Sequence, residues 1–103
     1  MIDKKIIEQI KFLKNLLRGD GFIIDGIFGS YARDESNLQS DIDILYHLEN
    51  SFYEQNGGFA GFKKLEEIKN FMSKTLEKKV DIAPKNNLSK TAQRYILSEV
   101  VYV

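Results

Sequence analysis

Residues 29–43 read Gly29-Ser30-Tyr31-Ala32-Arg33-Asp34-Glu35-Ser36-Asn37-Leu38-Gln39-Ser40-Asp41-Ile42-Asp43. An apolar run, Phe22 to Phe28 (FIIDGIF), leads into this stretch, and SDIDILYHL, Ser40 to Leu48, leads out of it. The glycine and serine break the first run, so the pattern is strand, turn, strand. Successive strand residues point to opposite faces. Ile42, Ile44, Tyr46 and Leu48 therefore share one face. Asp41, Asp43, Leu45 and His47 share the other, with the two carboxylates roughly 6–7 Å apart along the strand.

The rest of the chain alternates in the same way. Residues 3–18 have helical spacing, with Ile6, Ile10, Leu13 and Leu17 on one side. Asp3 can cap this helix, and Gly19 and Gly21 stop it. The first strand, mostly apolar, is expected to be covered on both faces. YARDES, from about Ser30, is compatible with a short helix, and residues 37–39 with a polar connection. Residues 49–61 are polar and contain glycine, which predicts a mobile loop. Phe62 to Lys78 predicts a helix with Phe62, Leu65, Ile68 or Lys69, Met72 and Leu76 inside; Phe59 is also assigned to the core. Residues 79–83 form a third strand, with Val80 and Ile82 on one side and Asp81 on the other, ended by Pro84. Asn86 or Asn87 would cap a last helix over residues 88–99, with Leu88, Ala92, Tyr95 and Ile96 apolar. The final VVYV is either an edge strand or a docked tail. The expectation is a single α/β (α+β) domain over residues 1–103: a mixed sheet of three to four strands flanked by helices. Whether strands one and two run antiparallel or make a tight crossover stays open.

Fifteen basic and fifteen acidic residues cancel, so the chain lacks the overall field of a nucleic-acid binder, and no direct nucleic-acid partner is expected. There is no cysteine, hence no disulfide framework or zinc–thiolate site, which suits a reducing cytoplasm. Charges interrupt the N-terminal apolar positions, so neither a signal peptide nor a membrane span is expected there.

The acids carry the chemistry. Asp41 and Asp43 on one face repel each other unless a cation lies between them. Oxygen donors of this kind suit Mg²⁺, which takes substrate phosphates as further ligands. Asp81 lies on another apolar strand. If that strand adjoins the second, the three acids converge and can hold two metal ions about 3.5–4 Å apart, the arrangement for in-line phosphoryl or nucleotidyl transfer. An isolated D-x-D is also what a solvated strand face presents, but the apolar flanks argue for buried strands, where bare acids are costly. Gly29 lets a phosphate approach the backbone closely, the following amides favour an anion, and Ser30 adds a donor. Arg33 can reach the same phosphate or pair with Asp34 or Glu35. His47 is read as solvent-facing, and Lys63, Lys64, Lys74, Lys78 and Lys79 as a solvated helix face.

Gly29-Ser30, ten intervening residues and Asp41-Ile42-Asp43 together resemble the signature of the nucleotidyltransferase superfamily that includes DNA polymerase β. The longer string GSYARDESNLQSDIDIL resembles its small stand-alone branch, the minimal nucleotidyltransferases, which act as antitoxins paired with HEPN-domain ribonuclease toxins. VDIA, Val80 to Ala83, fits the strand of the third acid. Asp34 departs from the pattern, since relatives often have glycine there. The resemblance implies a palm-like fold and an ATP-dependent, Mg²⁺-dependent protein adenylyltransferase. Asp41 and Asp43 would bind both Mg²⁺ ions, and Asp81 would complete the catalytic one and help deprotonate the acceptor. Gly29 and Ser30 would hold the β- and γ-phosphates. The acceptor would be a tyrosine hydroxyl on a cognate HEPN toxin. Three alternatives are transfer to a small molecule or nucleic acid end, a toxin-binding antitoxin without catalysis, and a nucleotide sensor.

Overall fold

The computed structural model describes residues 3–33, residue 35 and residues 40–103, apart from the side chain of Asn87. Helix α1, Lys4–Leu17, begins where Asp3 accepts a hydrogen bond from the Lys5 amide, 2.9 Å, and buries Ile6, Ile10, Leu13 and Leu17. A 3₁₀ turn, Arg18–Asp20, follows, and Gly21 turns the chain with φ +77°. Strand β1, Phe22–Phe28, then pairs antiparallel with β2, Ile42–Leu48, which settles the open question of their direction. The register shifts at Asp25, a β-bulge that leaves this residue without a partner on β2.

After β2 come two helices, α2 (Asn50–Gln55) and α3 (Phe59–Leu76). Parallel strands need a crossover between them, and α3 supplies it. Strand β3, Val80–Pro84, runs parallel to β2, with Ile42 opposite Val80 and Asp43 opposite Asp81. Helix α4, Lys90–Glu99, leads into β4, Val101–Tyr102, which pairs with β1. The sheet order is β3-β2-β1-β4, a mixed four-stranded sheet flanked by helices. The final VVYV is thus an edge strand.

The core lies between α1, α3 and one face of the sheet. Ile6, Ile10 and Leu13 of α1 and Ile68, Met72 and Leu76 of α3 meet Phe22, Ile24, Ile27, Ile42, Ile44 and Tyr46 there. Phe22 and Tyr46 stack at 4.6 Å and 17°. Each fully buried side chain of this size contributes about 1.5–3 kcal/mol of transfer free energy. The other face is covered more thinly: Ile23, Asp25 and Phe28 of β1 are only half-buried, so β1 is not sealed on both sides as its composition suggested.

Further expectations give way. Residues 49–61 are not one loop, and only residues 56–58 connect two helices within them: Phe52 is buried in the core, α2 forms around it, and the lack of a side chain at Gly21 admits the Phe52 backbone. Phe59 and Phe62 are not core but 91% and 73% exposed. Helix α3 starts earlier than predicted, and its buried stripe is set by Ile68, Met72 and Leu76, four residues apart, with both phenylalanines off it. The last helix is capped by Ser89, whose Oγ accepts from the Ala92 amide, and not by Asn86 or Asn87; Leu88 is extended and Tyr95 is exposed. The short helix expected from about Ser30 is absent from the described residues of that segment, 30–33 and 35, where the chain makes a turn. Residues 37–39 lie outside the described residues. Pro84 is the last residue of β3 and does not merely follow it, which an edge strand tolerates.

Candidate active site at the start of strands β2 and β3

The parallel register puts Asp43 and Asp81 side by side on adjacent strands, which lie about 4.8 Å apart. Asp41 sits just ahead of β2, on the same side as Asp43. The turn after β1 closes against them. Phe28 is opposite Asp43, and Gly29 follows with φ +76°. A side chain at Gly29 would overlap Asp43 Oδ2, so glycine is required there both for its backbone and for its size. The Arg33 amide donates to the Gly29 carbonyl, 3.1 Å, and the Glu35 amide to the Ser30 carbonyl, 2.8 Å. Tyr31 anchors the turn by burying its ring in the core, with Lys78 Nζ 5.9 Å from the ring centre.

Electrostatically the three acids act together. Partial burial, then Asp81, then Asp41 raise the Asp43 pKa above its ordinary value, while Arg33 opposes the rise. Asp41 and Asp81 each pair with a lysine: Lys79 Nζ is 3.8 Å from Asp41, and Lys69 Nζ is 3.9 Å from Asp81. Among the described residues, no three carboxylate or imidazole groups close into one metal-holding cluster. The donor set nonetheless suits a hard divalent cation: it is all oxygen, it is carried on two paired strands, and its inner member is destabilised as an anion by the outer two.

The sequence-predicted residues fall as follows. Gly29, Asp43 and Asp81 are brought together; Asp41 and Ser30 flank them. Arg33 is bound by two carboxylates, Nε to Glu35 Oε2 at 3.0 Å and Nη1 to Glu99 Oε2 at 2.6 Å. The Glu35 pair is the one foreseen; Asp34 lies outside the described residues. His47 is not simply solvent-facing. Its Nδ1 lies 2.9 Å from both oxygens of Asp25, whose side chain is only 12% exposed. Lys79 is not only part of a solvated face, since it meets Asp41. Sequence reasoning missed Glu99, Lys69 and Asp25. Only Asp25 left a signal, as a single acid inside FIIDGIF. A cavity of about 470 Å³ lies at the far end of β2, lined by Tyr46, His47, Phe52, Tyr53, Phe62 and Leu65 among others, and does not include the acids.

The profile of the nucleotidyltransferase domain matches residues 4–103. The chain belongs to the nucleotidyltransferase domain family. This nucleotidyltransferase is 33% identical over 78 residues to the protein adenylyltransferase MntA of Thermococcus cleftensis, covering 76% of this chain and 71% of that one. It is 37% identical over 101 residues to MJ1217 of Methanocaldococcus jannaschii, named as a candidate protein adenylyltransferase, covering 97% of this chain and 86% of that one. Its fold matches a solved structure described as a candidate minimal nucleotidyltransferase with a TM-score of 0.73 at 21% identity, covering 97% and 94% of the two chains. It also matches a chain in the crystal structure of a toxin–antitoxin with AMP-PNP, with a TM-score of 0.64 at 19% identity, covering 92% and 69%. The nucleotidyltransferase is therefore a nucleotidyl-transferring enzyme. No helix among its described residues is long and apolar enough to cross a membrane.

Proposed function

We propose that this nucleotidyltransferase is an antitoxin that transfers AMP from ATP to a tyrosine hydroxyl of a cognate HEPN-domain toxin in the cytoplasm. The observation that carries this reading is the seating of Gly29 directly against Asp43, with Asp81 in register beside it. A phosphate grip and a carboxylate pair in contact are what transfer from a nucleoside triphosphate needs. The names of the relatives, protein adenylyltransferases, support the substrate class.

In this reading Gly29 and Ser30 hold the β- and γ-phosphates, and the Arg33 guanidinium adds a fixed positive charge. Asp41, Asp43 and Asp81 are the residues that would hold two Mg²⁺ ions, which supply charge neutralisation on the phosphoryl oxygens. The acceptor hydroxyl oxygen bonds to the α-phosphorus as the bond to the β-phosphate oxygen breaks, and pyrophosphate leaves. Asp81 lies on an edge strand, where an acceptor on another protein can approach, and it takes the hydroxyl proton.

The test is transfer of label from α-³²P-ATP, with Mg²⁺, to the toxin. The reading predicts label on the toxin with wild type and a loss of at least about 10²-fold with Asp41→Ala plus Asp43→Ala, a size typical of removing electrostatic stabilisation at a reacting centre. Toxin neutralised without label, equally by wild type and double variant, would contradict it.

A further inference from the structure

Glu99 stands 66 positions from Arg33, at the last residue of α4, and accepts a 2.6 Å bond from Arg33 Nη1. Local helix chemistry does not favour it there. A carboxylate in the last turn faces the negative end of the helix dipole, and α4 has no basic residue in that turn to offset it. The offsetting cation comes from the glycine–serine turn instead. Glu99 is also the more sheltered partner, 26% exposed against 46% for Arg33.

We infer that Glu99 is a positioning residue for nucleotide binding: together with Glu35 it fixes the Arg33 guanidinium beside Asp43, ready for a phosphate of the triphosphate. The inference rests on the nucleotide-transfer reading above. The geometry supports it in three ways. The two bonds use Nε and Nη1, and a guanidinium carries five N–H groups in a rigid fork, so among the described residues Nη2 is left to meet a phosphate oxygen. Glu35 belongs to the same turn as Arg33 and moves with it; Glu99 belongs to α4, and so ties the turn to the body of the fold. The Arg33 amide is bonded to the Gly29 carbonyl, and Gly29 is seated against Asp43, which places the pair in the turn at the acids and not on a remote surface. An exposed ion pair alone contributes little to stability. Its effect here is a smaller loss of side-chain freedom when the nucleotide binds.

The experiment is calorimetric titration of the full chain with α,β-methylene ATP and Mg²⁺, paired with melting temperatures. Glu99→Gln is expected to weaken binding by about 3- to 10-fold with little change in melting temperature, and Glu99→Asp to recover part of the loss. In an Arg33→Ala background, Glu99→Gln should change nothing further, because the pair acts as one unit. In label transfer, Glu99→Gln should raise KM for ATP and leave kcat nearly unchanged. Unchanged binding, tighter binding, or a loss that adds to that of Arg33→Ala would each overturn the inference while leaving the enzyme reading intact. Failure of wild type to bind the nucleotide would instead sink both.

Discussion

At its start, β2 presents Asp43, with Asp41 just ahead of the strand, to a glycine turn; at its end, Tyr46 and Leu48 line a cavity walled by Phe52, Tyr53 and Phe62. The first region is built of charges that oppose one another and of a glycine pressed against a carboxylate. The second is built of aromatic rings, and its one imidazole is held by the nearly buried Asp25. Both regions hang on the same strand, yet the triphosphate role proposed above falls on the first. The lesson is that cavity size and charge separate here: the roomy site is largely aromatic and apolar, and the acids proposed to react lie outside it, paired with lysines.

The sharpest way to break this contrast is to cut the support of the aromatic end. Phe52→Ala removes a buried ring and should cost about 3–5 kcal/mol in denaturant unfolding. Phe62→Ala, at the same cavity but exposed, should change stability by no more than about 0.5 kcal/mol. Equal effects would mean that Phe62 is buried after all.

Gly29→Ala probes the acid end next. The left-handed backbone and the overlap with Asp43 together predict a loss of about 1–3 kcal/mol. Nucleotide affinity should fall with it, because the added methyl group must displace the carboxylate. A stable variant with unchanged affinity would show that the turn and Asp43 are not in contact.

Asp43→Asn gives a smaller effect with the opposite sign. Asp43 binds its proton more tightly folded than unfolded, where its pKa is near 3.8. The folded state therefore loses stability as pH rises from about that value through the raised one. Removing the charge should raise the melting temperature of the metal-free protein slightly at pH 7. The gain should shrink as pH falls toward 4 and vanish below it. Mg²⁺, which should stabilise wild type through mass action, should stabilise Asp43→Asn less.

Much of the acid end was legible in the sequence because strand alternation is a local rule. Asp41 and Asp43 had to share a face, and Asp81 had to oppose Val80 and Ile82 on its own strand. The spacing from Gly29-Ser30 supplied the rest through resemblance. Glu99 and Lys69 could not be read this way. Their partners lie far along the chain, and surface charges on helices carry no sign of what they will meet. The aromatic end failed for a related reason. Asn50 to Gln55 has weak helical periodicity, and it folds because Phe52 finds the core; Phe59 and Phe62 look like core residues until the phase of α3 is fixed by Ile68, Met72 and Leu76.

The most direct test follows backbone amide resonances of the full chain as α,β-methylene ATP and Mg²⁺ are added. The account predicts that Gly29, Ser30, Asp43 and Asp81 shift together along one saturation curve while Tyr53 and Phe62 stay in place. Shifts confined to the residues around Tyr46, Phe52 and Phe62, with Gly29 and the three aspartates unmoved, would contradict it.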